Sequence, residues 1–385
     1  MTLVFNRRRK APQTHVLIIG VGGYRHLMGH PVGPQMKDPY LFGGLGQLTS
    51  PPLSAIEMID VFTEAPDAWR PPLGSVDVLI SPHPSNPEPA GAGVKFTNPT
   101  GANIKRAFRA WWARCNSETE NAAVLYLCGH GIQYDEQYFL ASDFGANPLD
   151  PWENAIAVDS TIKGLWHNKA QTQCVYVDAC REIVPATSEI SKVNARPLAP
   201  YYPGNQTYNV YDIDIRAVAP SEQAFASPNS TAYFTQALSR ALRGGAATED
   251  DTTGDWLVTI EGVAAKFHDI VSELAPHRGE TPRPHPGRST VLYQPPATPM
   301  VNLTIGCRPD VANEIADLSY KPNSGKPDND ELVARGERQL APWTIPVAAG
   351  YYTLYAAFDP DCEFNAASRQ LLVTPPARRP ELQVK

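Results

Sequence analysis

Thr172-Gln173-Cys174-Val175-Tyr176-Val177-Asp178-Ala179-Cys180-Arg181 is the stretch on which the fold turns. Branched and aromatic residues crowd its first half, and polar residues bound it, so 172–178 reads as a buried strand that delivers a cysteine at its carboxyl end. Upstream, 15–20, 75–81 and 122–128 read the same way. Between these runs the period changes to that of a helix. Ile56, Ile59 and Phe62 mark a helix over 53–64, and Ile104, Phe108, Trp111, Trp112 and Cys115 mark one over 101–115. Ile162, Leu165 and Trp166 mark a shorter one over 160–168. Strands alternating with helices predict an α/β fold, a mostly parallel sheet flanked by helices on both faces. In such sheets chemistry gathers beyond the carboxyl ends of the strands. Cys180 stands at one such end, and His130 stands at another, just after 122–128.

Past the cysteine, 183–211 is a long irregular stretch with Pro185, Pro197, Pro200, Pro203 and Gly204. Loops of this length inside a compact domain are functional or cleavable more often than not. The α/β pattern resumes with a strand over 212–218 and helices over 234–242 and 260–274. Segment 276–299 is rich in Pro, Gly and Arg and marks a boundary. Beyond it, 301–305, 343–347, 351–358 and 370–373 read as strands separated by turns, with no helical period. The expected organisation is one α/β domain over 1–297 and a small β-sandwich accessory domain over 298–385.

Composition excludes several roles. The net charge is −7 and no basic stripe is interleaved with aromatics, which argues against nucleic acid as a partner. No segment has the ~20 apolar residues that span a bilayer, so no membrane role is expected. The basic run Arg7-Arg8-Arg9-Lys10 precedes only a short apolar stretch that ends in glycines, so it reads as the approach to a buried strand rather than a signal peptide. Six scattered cysteines without a Cys-x-x-Cys pair suit a reduced, cytoplasmic protein and exclude a zinc ribbon. The run Gly20-Val21-Gly22-Gly23-Tyr24-Arg25 lacks the third glycine of a dinucleotide fingerprint.

The chemistry follows from the two strand ends. A thiol is mostly protonated at neutral pH, and a thiolate is the nucleophile, so a catalytic cysteine needs an imidazole beside it. Cys180 and His130 supply the pair, and the glycines flanking His130 allow close approach of backbone to substrate.

These residues carry a family resemblance. Gly129-His130-Gly131 after one strand and Asp178-Ala179-Cys180-Arg181-Glu182 after the next, with the histidine 50 residues before the cysteine, resemble the caspase and metacaspase clan over about residues 12 to 294. The run Tyr233-Phe234-Thr235-Gln236-Ala237-Leu238 is similar to the helix after the last core strand in many bacterial members. The resemblance implies a cysteine endopeptidase acting on a protein or peptide substrate. In it Cys180 is the nucleophile, His130 the general acid and base, and the N–H groups of Gly131 and Cys180 an oxyanion hole. No cofactor is implied. Calcium is used by many metacaspases, but no acidic cluster in this sequence calls for it.

The departures bear on specificity. Asp178 and Glu182 replace the Gln and Gly of caspases, and 46–49 lacks the Arg that reads a substrate aspartate. Aspartate at the place of Asp178 is what metacaspases show, and they prefer Arg or Lys. Asp178 lies two residues before Cys180 on the same strand face, so its carboxylate is expected to face the cavity beside the attacked bond. Glu222 is the expected second wall of that pocket, and Arg25, after the first strand, a further substrate contact. Asp143 reads as a turn residue, and the remaining histidines as structural. The competing reading is a catalytically silent scaffold of the same fold acting through its C-terminal domain, to which a protein partner would bind.

Overall fold

The computed structural model describes residues 2–7, 9–32, 42, 44–89, 94–184, 193–202, 210–217, 229–275, 285–286, 288–323 and 330–385. By their contacts they divide into two compact units, 1–242 with 259–294, and 243–258 with 295–385.

The first unit is built on one sheet. Its strands are β1 (Thr2–Asn6), β2 (Thr14–Val21), β3 (Leu73–Ser81), β4 (Ala122–Gly129), β8 (Thr172–Ala179) and β9 (Tyr211–Arg216), closed by His285–Pro286. They lie in the order β1-β3-β2-β4-β8-β9 and then 285–286. The five from β3 to β9 are mutually parallel, and the two edges, β1 and 285–286, run antiparallel. All residues of β2, β3, β4 and β8 are buried, which is why they read as mostly apolar runs without a regular polar face.

Helices α1 (Ser50–Thr63), α2 (Gly101–Cys115), α3 (Val158–Leu165), α4 (Tyr233–Arg240) and α5 (Ile260–Leu274) cover the sheet. Trp111 of α2 is fully buried and its indole N–H donates to the carbonyl of His15 in β2 at 3.0 Å. Helix α2 begins with two caps, Thr100 accepting from Asn103 N and Asp143 accepting from Gly101 N at 2.9 Å. Asp143 is therefore a helix cap and not merely a turn residue. On the opposite face α1 packs so closely on β2 that a Cβ at Gly20 would stand 2.7 Å from both Ala55 and the carbonyl of Pro51. Only glycine allows that approach.

A small antiparallel sheet of β5 (Gly131–Gln133), β6 (Gln137–Leu140) and β7 (Ala155–Ala157) follows directly on β4. Its strands are too short to announce themselves by period. The N-terminal β1 was also hidden, because its five residues are followed at once by the basic run that draws attention to Arg7. Trp256–Thr259, Val291–Tyr293 and Asp317–Pro322 are further strands that the sequence does not mark. The ranges it does mark agree with the elements to within a few residues, and the helices over 101–115 and 260–274 coincide with α2 and α5.

In the second unit, Met300–Arg308 pairs with Trp343–Ala348, and Asp317–Pro322 pairs with Gly350–Ala357, which in turn pairs with Ala367–Val373. The two four-stranded sheets share one apolar cluster that includes Val301, Leu303, Leu318, Leu354 and Val373. No helix among the described residues is long and apolar enough to cross a membrane.

Candidate active site

Parallel pairing of β4 with β8 sets Cys128 opposite Asp178 and Gly129 opposite Ala179. His130 and Cys180 are the next residue on each strand, so the register delivers both to the same edge side by side. Beyond that edge the two chains stay together. Gln133 N donates to Glu182 O at 2.9 Å, and Arg181 Nε donates to Gln133 Oε1 at 3.0 Å. A Cβ on Gly131 would stand 2.3 Å from the carbonyl oxygen of Cys180, so this crossing of backbones requires glycine.

The nucleophile segment is also held from below. Gln137, fully buried, donates through Nε2 to the carbonyl of Cys180 at 3.1 Å. Its Oε1 accepts from Arg216 at 3.3 Å, and Arg216 pairs with Asp159 and Asp214, each at 2.8 Å. A chain of polar groups from β9 and α3 thus fixes the peptide that carries the thiol.

His130 is clamped by residues from two loops. Its backbone N–H donates to the hydroxyl of Tyr24 at 2.6 Å, and the two rings lie 4.8 Å apart. Its Nε2 lies 2.9 Å from the carbonyl oxygen of Gly46. A carbonyl can only accept, so Nε2 carries the proton and Nδ1 keeps the lone pair that a thiol proton needs. The neighbouring Gln47 side chain grips the same loop, accepting from Tyr24 N at 2.7 Å and donating to Tyr24 O at 3.0 Å and Met28 O at 2.9 Å. Burial lowers the imidazole to about 4, against the partial support of the Gly46 carbonyl, so His130 is neutral at pH 7. A neutral imidazole is the form that can take a proton.

Of the six cysteines, none of which forms a disulfide, Cys115, Cys128, Cys174 and Cys307 are buried. Burial raises all four thiols, that of Cys174 to about 12. Cys180 is half-buried and is the one cysteine of the first unit that reaches solvent.

Asp178 is only 3% exposed. Thr235 of α4 donates to its Oδ2 and itself bonds the hydroxyl of Tyr126 at 2.5 Å, while the thiol of Cys128 also bonds the carboxylate. The carboxylate therefore lies under α4 rather than open to a cavity. Burial raises it to about 6 despite these bonds, and among the described residues no cation is one of its partners. Arg25 is exposed and lines a groove at the ends of β2 and β3, a groove whose lining includes neither Asp178 nor His130. Glu222 and Lys192 lie outside the described residues. Among the described residues no group of three or more His, Cys, Asp or Glu side chains is placed to hold a metal ion.

Tyr24, Gly46, Gln47 and Gln137 did not stand out in the sequence. Tyr24 closes the glycine run that reads as an incomplete dinucleotide fingerprint, and 46–49 is marked in the sequence only by its lack of an arginine. The signal that could have found them is topological, since both segments follow or approach carboxyl ends of parallel strands.

Comparison with known proteins agrees with this arrangement. Residues 88–274 match the caspase-domain family model, a range that includes both His130 and Cys180. The chain is 32% identical over 209 residues to "Uncharacterized protein y4kE" of Sinorhizobium fredii (strain NBRC 101917 / NGR234), an alignment that covers 53% of this chain and 59% of that protein. The chain thus spans about three fifths of that relative's length. A solved structure of caspase-1 from Spodoptera frugiperda superposes with a TM-score of 0.39 at 12% identity, covering 76% of this chain and 94% of that one. The family so matched is one of cysteine peptidases, and over the matched residues the chain is similar to a caspase domain and has a caspase-like fold.

Proposed function

We propose that the protein is a metacaspase-like cysteine endopeptidase that cleaves protein substrates after Arg or Lys in a reducing, cytoplasmic setting. The observation that carries this reading is the register that ends adjacent strands in a half-exposed thiol and a neutral imidazole whose tautomer is fixed by Gly46. Nδ1 of His130 takes the thiol proton as sulfur attacks the substrate carbonyl. The N–H groups of Gly131 and Cys180 meet the developing oxyanion; that of His130 is already given to Tyr24. The imidazolium then protonates the leaving amine, and a thioester remains for water to hydrolyse.

For the substrate side chain, Asp178 is the proposed counter-ion. A guanidinium reaching it displaces the Thr235 hydroxyl, which costs about 1–3 kcal/mol if that hydroxyl finds no new partner. Two charge-assisted bonds to a desolvated carboxylate outweigh that cost. Glu222 remains the proposed second wall, and the 298–385 segment a module that recruits a protein partner or substrate. The experiment is labelling with an arginine peptide bearing a thiol-reactive electrophile. A mass increase confined to the peptide containing Cys180 supports the reading. A silent scaffold leaves Cys180 unlabelled while the fold is intact.

The loop from 183 to 211, which carries Lys192 and Arg196, is the proposed site of self-processing. Segments flanking the cut are tied down independently. Leu198 N donates to Thr161 at 3.0 Å, Ala157 N to Arg196 O at 3.3 Å, and β9 is paired in the sheet. Cleavage is therefore expected to leave two fragments that co-elute. Intact-mass analysis during turnover checks it, and a single full-length species in active enzyme sinks it.

A further inference from the structure

At the carboxyl ends of β2 and β3, beside the start of α2, lies a groove of about 840 Å³. Arg25, His26, His30, Ser81, His83 and Thr100 line it. Two features ask for a ligand. Arg25 is exposed, and among the described residues its guanidinium forms no ion pair. Ser81 is 4% exposed, lines the same groove, and its hydroxyl has no hydrogen-bond partner. Buried hydroxyls without partners are rare, because leaving one unmade costs more than an average bond gains. Asp143 also lines the groove, but its carboxylate accepts from Gly101 N at the start of α2 and has His26 and Lys105 as neighbours.

Sheet order says which part of a substrate reaches this groove, given the peptidase reading above. The order is β3-β2-β4-β8, with the nucleophile after β8 and the imidazole after β4. The imidazole must deliver its proton to the leaving amine, so the leaving half of the substrate starts on the β4 side. Continuing the same way, that half passes over β2 and β3. Neighbouring strands are about 4.8 Å apart, so β8 to β3 is roughly 14 Å, about four extended residues.

We propose that this groove is a subsite for the leaving half of the substrate and that it takes an acidic side chain two to four residues past the scissile bond. Arg25 supplies the counter-charge and Ser81 the hydroxyl donor. The chemistry is that of a carboxylate meeting a guanidinium and an O–H, with no covalent step.

The test is binding to the Cys180→Ala protein, which holds uncut substrate; Cys180→Ser serves if the alanine form does not fold. Three fluorescent octapeptide amides share Arg at the cleavage position and carry Asp, Ala or Lys at the third and fourth positions after it. The aspartate peptide is expected to bind about tenfold more tightly than the lysine peptide, as for a single partly desolvated charge pair. Arg25→Glu in the same background should invert that order. Equal affinity for the aspartate and lysine peptides, or no saturable binding of either, overturns the proposal. A fourth peptide with alanine throughout the leaving half but a free terminal carboxylate tells a side-chain site from one for a chain end. Wild-type turnover of an arginine coumarin amide, which has no residues past the cut, reports separately on the peptidase reading.

Discussion

Cys180→Ala and His130→Ala are each expected to lower kcat/KM on an arginine peptide by about 10³-fold or more, with the double variant no worse than either single one. The two act as a unit, so the second loss has nothing left to remove. Neither change should unfold the protein. Cys180 is half-buried and its peptide is held by Gln137 through backbone atoms, which the alanine keeps. His130 is more deeply placed, and its loss frees the Gly46 carbonyl and one face of the Tyr24 ring. A modest fall in thermal stability is therefore expected there and not for Cys180→Ala. A backbone N–H to the Tyr24 hydroxyl survives either change. Hydrolysis persisting in purified Cys180→Ala would falsify the assignment. Loss of activity in His130→Ala with retained thiol labelling would place the imidazole in proton delivery rather than in activating the sulfur.

The fold was legible because its strands are buried on both faces and its helices carry single apolar stripes. The α2 range could be read to the residue because Thr100 and the aromatic stripe mark both its start and its face. The catalytic pair was legible for a different reason. Two strands ending in Gly-His-Gly and Ala-Cys are local signals, and adjacency follows once β4 and β8 pair in parallel. What could not be read is everything that depends on a loop returning to the site. Gly46 contributes a carbonyl, a group every residue has, so no side-chain pattern could mark it as the partner of His130. Gln137 acts from a four-residue strand 43 positions from its target. Asp178 shows the remaining limit. The strand period sets its face, but only the packing of α4 decides that Thr235 closes over it.

Asp178→Asn is expected to raise stability and to weaken arginine and lysine cleavage strongly at the same time. The carboxyl stands at about 6 in the folded protein, above its ordinary value of 3.8, because burial penalises the charge. The folded state therefore favours the protonated form. That preference is fully present below the ordinary value and is lost as pH rises through 6. At pH 8 the folded chain carries an electrostatic penalty of up to about 3 kcal/mol. The amide has nearly the same shape, carries no charge and still accepts from Thr235. The variant should thus melt several degrees higher at pH 8, with the gap closing near pH 4, where the wild-type carboxyl is itself mostly protonated. Arginine peptides should lose about 10²-fold in kcat/KM, the scale of removing a buried charge from a salt-bridged pair, while a leucine peptide changes little. In the wild type the arginine rate should fall on acidification with a midpoint near 6. The leucine rate should hold until His130 protonates near 4. Wild-type preference for Asp or Leu peptides sinks the specificity proposal. Equal loss on arginine, lysine, aspartate and leucine peptides, or a lower melting temperature at pH 8, leaves Asp178 a structural carboxylate under α4 and moves the substrate's counter-ion elsewhere.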